Sequence, residues 1–365
     1  IHLKDSMTLN IKNNKVYLIA EIGVNHNGIL SLAKKLIKYA KKCGADAVKF
    51  QNFKAEKLVI RNAKKAPYQI KNTNNTETQY KMLKKLELKE KDYFLLKKYA
   101  QKLKIEFISS VFDEESIDFL NKKLKSKIIK IPSGEITNYL ILKKLNVFKY
   151  KVLLSTGMSN YIDIVKAINI ISKNKVYELR KGKVFIKNKK IYKKLRKNLY
   201  LLHAVTDYPL KDKYANLNCI GQFIKDFKLV TGYSDHTSGI LASLISVAKG
   251  AKIIEKHFTL DKNMKGPDHS ASLNPNEFEK MAESLRKFEI MCGSGKKKLQ
   301  KCELENVKIS RKSIVAKVLI KKSQKFTYKN LTTKRPGTGL NPFLIEKLIN
   351  KTSKKRYFPD EQIKI

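Results

Sequence analysis

Cysteine is sparse and scattered in this chain. The four residues, Cys43, Cys219, Cys292 and Cys302, form no CxxC pair. That argues against a disulfide scaffold or a structural zinc site and fits a reducing cytoplasm. None of the four has the partner pattern of a nucleophile. Long apolar runs are lacking too. The best, Thr237–Ala248, is 12 residues with polar members, short of the roughly 20 that cross a bilayer, so no membrane partner is expected. The opening Ile1-His2-Leu3-Lys4-Asp5 does not read as a signal peptide. Acidic residues are few, 32 against 78 lysines and arginines, for a net charge of +46. Arginine is also scarce, with only seven among those 78. Because arginine is the side chain that forks onto phosphates and guanine edges, its shortage argues against a nucleic-acid binder. The lysines are spread along the whole chain beside abundant asparagine and isoleucine. This pattern suits codon bias and solvated outer faces, while the field still draws small anions.

What is present is a core-forming chain. Its 365 residues, 42% hydrophobic, suit one large domain with a small second one. Eight short β-rich runs recur: Val16–Ile22, Ala45–Gln51, Ile105–Ser110, Lys127–Ser133, Lys151–Thr156, Leu199–Val205, Leu229–Tyr233 and Ala251–His257. Their near-continuous apolar character predicts parallel strands buried on both faces. Amphipathic segments such as Leu30–Cys43 and Lys91–Lys104 separate them. The alternation predicts a (β/α)8 TIM barrel. Residues 1–15 are expected as a hairpin capping the barrel floor, and the basic stretch Ser172–Lys197 as an inserted surface hairpin. The expected division is a barrel over 1–290, a Gly/Ser/Lys-rich linker over 291–305 and a separate module over 306–365.

In such a barrel the chemistry gathers at the C-terminal strand ends, and here all eight ends carry polar residues. In chain order they supply Glu21, then Lys49 and Gln51, Ser109 and Ser110, and Lys130, Ser133 and Glu135. Ser155 and Thr156 follow, then His203, Thr206 and Tyr208, then Ser234, Asp235 and His236, and finally Glu255, Lys256 and His257, with Asp268 and His269 beyond. So many polar groups converging on one mouth point to an active site. Lys49 and Lys130 with Ser133, Ser155 and Ser234 suit a ligand carrying phosphate and carboxylate; the alternative is that the two lysines are buried ion-pair partners. His236 and His257 end neighbouring strands and can ligate one divalent cation with positions left open. Glu21 and Asp268 are candidate proton-handling or hydroxyl-binding carboxylates. Glu255 either orients a ligand from behind or pairs with Lys256. His203 reads as packing or hydrogen-bonding, His26 as a turn residue or a substrate contact, and His269 is open between the two.

Several runs resemble the sialic acid synthase family: Ala20-Glu21-Ile22-Gly23-Val24-Asn25-His26-Asn27-Gly28, Val48-Lys49-Phe50-Gln51, Lys130-Ile131-Pro132-Ser133-Gly134-Glu135, Gly232-Tyr233-Ser234-Asp235-His236-Thr237 and Glu255-Lys256-His257-Phe258. Gly266-Pro267-Asp268-His269-Ser270-Ala271-Ser272-Leu273 extends the likeness. Arg311-Lys312-Ser313-Ile314-Val315-Ala316 and Lys334-Arg335-Pro336-Gly337 resemble its antifreeze-like (SAF, β-clip) domain. The resemblance implies a TIM barrel followed by that domain. It also implies condensation of phosphoenolpyruvate with an N-acetylated amino-sugar aldehyde, giving a nine-carbon 2-keto acid and phosphate, with Mn2+ or Mg2+. N-acetylmannosamine is the favoured acceptor. A diacetamido-trideoxyhexose, giving legionaminate or pseudaminate, is the alternative.

By the same resemblance His236 and His257 match metal ligands. Lys49, Ser110, Lys130, Ser133, Ser155, Thr206 and Ser234 match the phosphoenolpyruvate pocket. Gln51, Tyr208 and Asp268 match sugar contacts, and Glu21 a carboxylate near the reacting carbons. Arg335 matches an arginine that one subunit inserts into its partner, implying a domain-swapped homodimer. Ser110 and Thr206 depart from the family pattern, but each carries a hydroxyl, so hydrogen bonding survives. A Schiff-base aldolase, a basic nucleic-acid binder and a non-catalytic antifreeze-like module are the competing classes.

Overall fold

The computed structural model describes residues 15–73 and 77–364, so all but the last residue of the expected N-terminal hairpin lies outside the described residues. They divide into two compact units, the first ending at Cys292 and the second beginning at Gly293. Ten strands belong to the first unit: β1 (Tyr17–Gly23), β2 (Ala47–Asn52), β3 (Glu106–Val111), β4 (Ile128–Ile131), β5 (Lys151–Ser155), β6 (Tyr177–Arg180), β7 (Lys183–Ile186), β8 (Leu199–Ala204), β9 (Val230–Asp235) and β10 (Ile253–His257). All but β6 and β7 close into a parallel barrel in the order β1-β10-β9-β8-β5-β4-β3-β2. These eight fall within two residues of the bounds read from the sequence.

Side chains alternate across each strand. Inward positions low in the barrel are apolar: Tyr17, Ile19, Ala47, Ile108, Ile128, Leu153, Leu202 and Ile253 form one buried cluster. Outward positions such as Leu18, Val48, Phe107 and Ile254 pack against the helices in a second, larger cluster. The helix Leu30–Lys42 shows why these segments fold as they do. It buries Ala33, Leu36, Ile37 and Ala40, one face at helical spacing, and ends in Lys41 and Lys42. Each fully buried leucine or isoleucine contributes roughly 2 kcal/mol, and the terminal lysines suit the helix dipole. The helix Tyr161–Ile171 is started by Asn160, whose side chain accepts from the amides of Ile162 and Asp163.

The basic insertion opens with a hairpin, as the sequence suggested, and continues into the helix Lys189–Leu195. Strands β6 and β7 pair antiparallel, and the two-residue turn between them has Lys181 at φ 46° and Gly182 at φ 73°, the left-handed pair that tight hairpins need. The hairpin follows a helix and precedes β8, so it belongs to the floor side of the barrel, away from the strand C-termini. No helix among the described residues is long and apolar enough to cross a membrane.

The second unit contains β11 (Ser313–Ala316) and β12 (Leu331–Lys334), paired antiparallel. Its core is Ile314, Ala316, Ile320, Phe326, Leu331, Leu348, Tyr357 and Ile363. Gly337 lies against the helix Leu304–Ser310: a Cβ there would meet Val307 O at 2.7 Å, and its amide donates to Lys308 O at 2.7 Å. The neighbouring Arg335 is exposed.

Candidate active site at the barrel mouth

Moving up by two residues replaces Ile19 with Glu21, Ala47 with Lys49, Ile108 with Ser110, Ile128 with Lys130, Leu153 with Ser155 and Ile253 with Glu255, so most strands turn from apolar to polar inside, while on β8 Leu202 gives way to Ala204. Register places Glu21 beside Lys49 on one side and His257 on the other. Ser110 neighbours Lys130, and Ser234 neighbours Glu255. The result is a ring of inward, buried polar side chains above the apolar floor.

Glu255 is its hub. Both of its carboxylate oxygens accept from Lys130 Nζ at 2.8 Å, and Oε1 also accepts from Ser234 Oγ at 2.8 Å. Lys49 Nζ lies 3.5 Å from Glu255 Oε2 and 3.1 Å from Glu21 Oε2, and donates to Ser110 Oγ at 3.2 Å. Gln51 Nε2 donates to Glu21 Oε1 at 3.1 Å. Two lysines thus face two carboxylates. Burial raises the Glu21 carboxyl against the opposing pull of Lys49. Burial also works against the charged form of Glu255, but Lys130 and Lys49 outweigh it and hold the carboxyl low. Burial lowers Lys130 to about 8 despite Glu255.

The two strand-end imidazoles stand side by side, with ring centroids 5.7 Å apart. His236 Nδ1 is 2.7 Å from Val205 O, so this nitrogen is the donor and Nε2 keeps its lone pair. Burial lowers His236 to about 4. Burial, with His236 and Lys49 adding, takes His257 well below its ordinary value. His257 Nδ1 is buried without a hydrogen-bond partner and lies 3.9 Å from Asp268 Oδ2. Neutral imidazoles with free lone pairs are what a divalent cation needs, so the pair fits the metal that the family resemblance implies. Among the described residues no group of three or more histidine, cysteine or acidic side chains is arranged to hold an ion, so the pair leaves coordination positions open to oxygen donors such as water or substrate.

Above the imidazoles lie aromatic rings. Tyr208 packs on His236 at 4.2 Å and on His257 at 5.6 Å, and Tyr68 covers Tyr208 at 4.9 Å. The short helix carrying Tyr68 is tied across the mouth by Asn72 Nδ2, which donates to Pro267 O at 2.6 Å. Next to Pro267, Asp268 is raised to about 7 by burial and then by Glu21. Gly23 keeps this region open. At φ 54° it favours glycine, and a Cβ there would meet Glu21 Oε1 at 3.2 Å, Gln51 Nε2 at 3.3 Å and His257 Cε1 at 3.6 Å. A second glycine gathers hydroxyls: a Cβ on Gly157 would lie 2.6 Å from Thr206 Oγ1 and 2.7 Å from Ser133 Oγ. Thr206 Oγ1 is buried with no partner. Ser155 is buried at the end of β5.

The barrel therefore brings Glu21, Lys49, Gln51, Ser110, Lys130, Tyr208, Ser234, His236, His257 and Asp268 into one set of contacts, whereas Ser133 and Thr206 meet beside Gly157, Ser155 is buried at the end of β5 and Arg335 belongs to the second unit. One local alternative falls away, and the hydrogen-bonding reading of His203 holds. Glu255 does not pair with Lys256, because adjacent strand residues face opposite sides; Lys256 pairs with Asp235 instead. His203 faces the helices, its Nε2 2.8 Å from Ala215 O. The open cases resolve as structural contacts. His26 Nδ1 accepts from the Gly28 amide, and His269 lies between Thr259 Oγ1 and Asn27 Oδ1. Tyr68 was not found from sequence, since nothing in its spacing marks it.

A closed parallel barrel with lysines, carboxylates and neutral imidazoles at the strand C-termini has the make-up of an enzyme site that can take an anionic substrate and a divalent cation. Comparison with known proteins narrows this. Residues 36–297 match the profile of the NeuB family. The chain is 48% identical to N,N'-diacetyllegionaminic acid synthase of Campylobacter jejuni over 96% of this chain and 99% of that one. It is 43% identical to the synthase of the same name from Legionella pneumophila, over 91% of this chain and 89% of that one. The solved N-acetylneuraminic acid synthetase of Leptospira borgpetersenii superposes with a TM-score of 0.65 at 30% identity, covering 80% of this chain and 90% of that one. The chain belongs to the NeuB family and is an enzyme, a synthase of the sialic and legionaminic acid type.

Proposed function

We propose that the chain condenses phosphoenolpyruvate with the open-chain aldehyde of a diacetamido-trideoxyhexose to form an N,N'-diacetyllegionaminate-type acid. The observation that carries the chemistry is the ring in which Lys49 and Lys130 stand beside two neutral imidazoles. Between the two acceptors weighed from sequence, the relatives at 48% and 43% identity favour the diacetylated one over N-acetylmannosamine.

In this reading Lys49 and Lys130 exchange part of their contact with Glu21 and Glu255 for the phosphate and carboxylate of phosphoenolpyruvate. Ser110, Ser133, Ser155, Thr206 and Ser234 supply hydroxyls around it. Gln51, Tyr208 and Asp268 orient the sugar, so that the two reactants meet without a second loss of freedom. His236 and His257 would hold Mn2+ or Mg2+, and such a cation would supply Lewis-acid polarisation of the aldehyde oxygen. The methylene carbon of phosphoenolpyruvate attacks the aldehyde carbon, and positive charge develops at the enol carbon. Water adds there, giving up its proton to Glu21, whose raised affinity for protons suits a general base. The aldehyde oxygen, left as an alkoxide by the attack, takes up the proton that Glu21 accepted, and the tetrahedral centre expels phosphate by C–O cleavage as its hydroxyl proton passes to the departing phosphate, leaving the 2-keto acid. The second unit is read as the antifreeze-like domain, its exposed Arg335 reaching the barrel of a partner in a cytoplasmic, domain-swapped homodimer.

Phosphate release measured with phosphoenolpyruvate, Mn2+ and, in turn, N-acetylmannosamine, the diacetamido-trideoxymannose and its altrose-type isomer tests the assignment. Fastest turnover is expected with the diacetamido-trideoxymannose. Preference for N-acetylmannosamine overturns the acceptor but not the chemistry, and pyruvate trapping by borohydride overturns the chemistry.

A further inference from the structure

Behind the mouth, on the outer face of the strands that carry the imidazoles, lies a charged cluster that the reaction does not touch. Asp235 ends β9, and Lys256 precedes His257 on β10. Their ion pair is 2.9 Å long and both side chains are 0% exposed. Other outward positions at this level, such as Ile22, Ile131 and Phe258, are filled by apolar side chains of the main core. Apolar residues of similar volume commonly stabilise a fold as well as a buried ion pair does, so packing alone gives no reason for the charges.

The hydrogen bonds supply one. Asp235 Oδ1 accepts from both the amide and the hydroxyl of Thr237 at 2.8 Å. Its Oδ2 accepts from Ser243 Oγ at 2.6 Å. Lys256 Nζ donates to Thr237 O at 2.6 Å. All three polar groups of Thr237 are therefore held by the pair. His236 lies between Asp235 and Thr237, inside the turn that the aspartate closes. Its own carbonyl accepts from the Leu210 amide at 2.8 Å, and its ring is set by Val205 O.

We propose that the Asp235–Lys256 pair is a positioning element that fixes the His236 ring for cation binding, and that it ties the ends of β9 and β10 together so that the two imidazoles keep their separation. The inference rests on the metal role proposed for His236 and His257. Neither Asp235 nor Lys256 touches substrate in this scheme.

The test uses full-length, metal-stripped protein titrated with Mn2+ and followed by electron paramagnetic resonance without substrate. Asp235→Asn alone strands the Lys256 charge and is expected to destabilise the fold. Asp235→Asn with Lys256→Met exchanges the pair for neutral groups, and the melting midpoint should return close to the parent's. Mn2+ binding in this double variant should nonetheless weaken about tenfold or more. A double variant that melts like the parent and binds Mn2+ within twofold of it overturns the inference. If the double variant does not fold, Ser243→Ala loosens Asp235 without stranding a charge: weakening of at least about threefold supports the proposal, and unchanged binding overturns it. Parent protein that binds no Mn2+, or His236→Ala that binds it normally, instead overturns the metal reading beneath.

Discussion

Replacing Glu255 with glutamine tests whether the ring at the mouth is one energetic unit. The carboxylate has three donors, Lys130, Lys49 and Ser234, and the ring is buried. Glutamine keeps the shape but leaves two ammonium groups with only Glu21 as counter-charge. Removing one partner of a buried pair costs about 3–5 kcal/mol, and at this domain size the melting midpoint should fall by roughly 10 °C. The pH response identifies the cause. Burial already holds Lys130 at about 8, below its unfolded value of about 10.4. Without Glu255 its folded value drops further, so the unfolded chain binds the extra proton over a wider window. Stability of the variant should therefore rise as pH increases from 7 toward 10, by up to about 1.4 kcal/mol per unit. Urea denaturation at three pH values measures both quantities. A variant within about 1 kcal/mol of the parent at pH 7, with the parent's pH slope, would refute the reasoning.

Other perturbations separate the parts of the site. His236→Ala and His257→Ala should each lower turnover by about a thousandfold, the several kcal/mol a Lewis acid supplies, with circular dichroism unchanged; a normal rate in either, or full activity after chelation, contradicts the metal role. Gly157→Ala should drive Ser133 and Thr206 apart and raise KM for phosphoenolpyruvate about tenfold, roughly 1.4 kcal/mol of binding, while the melting curve stays near the parent's. Acid should weaken the fold through groups outside the reaction. Burial lowers His26 and His269 to about 4 each, below the unfolded 6.5, so their stabilisation is whole above pH 6.5 and is lost as pH falls toward 4. Each contributes up to about 1.4 kcal/mol per pH unit, and denaturation midpoints at pH 7, 5.5 and 4.5 follow the loss.

The barrel was legible because its strands are buried on both faces, which writes them as short apolar runs between lysine-studded helices. The polar ends were legible for the same reason: Glu21, Lys49, Lys130 and His257 interrupt runs that are otherwise apolar. What the sequence hid is pairing across strands. Lys49 meets Glu21 and Glu255 only through register, and Ser133 approaches Thr206 only because Gly157 has no side chain. Of the two alternatives for Glu255, pairing with Lys256 is excluded by strand alternation alone, since adjacent strand residues face opposite sides. Tyr68 sits on a short helix in a long connection, where no periodicity distinguishes a ring over the mouth from one on the surface.

With Lys49 and Lys130 set against Glu21 and Glu255, the chamber itself exerts little pull at a distance. The long-range attraction for a small anion comes from the lysine coat of a molecule carrying +46. Capture and chemistry are thereby assigned to different charges. Raising ionic strength dims the coat within a Debye length of about 8–10 Å but reaches the sealed chamber far less. Encounter-limited kcat/KM should therefore decline with added salt while kcat holds nearly level.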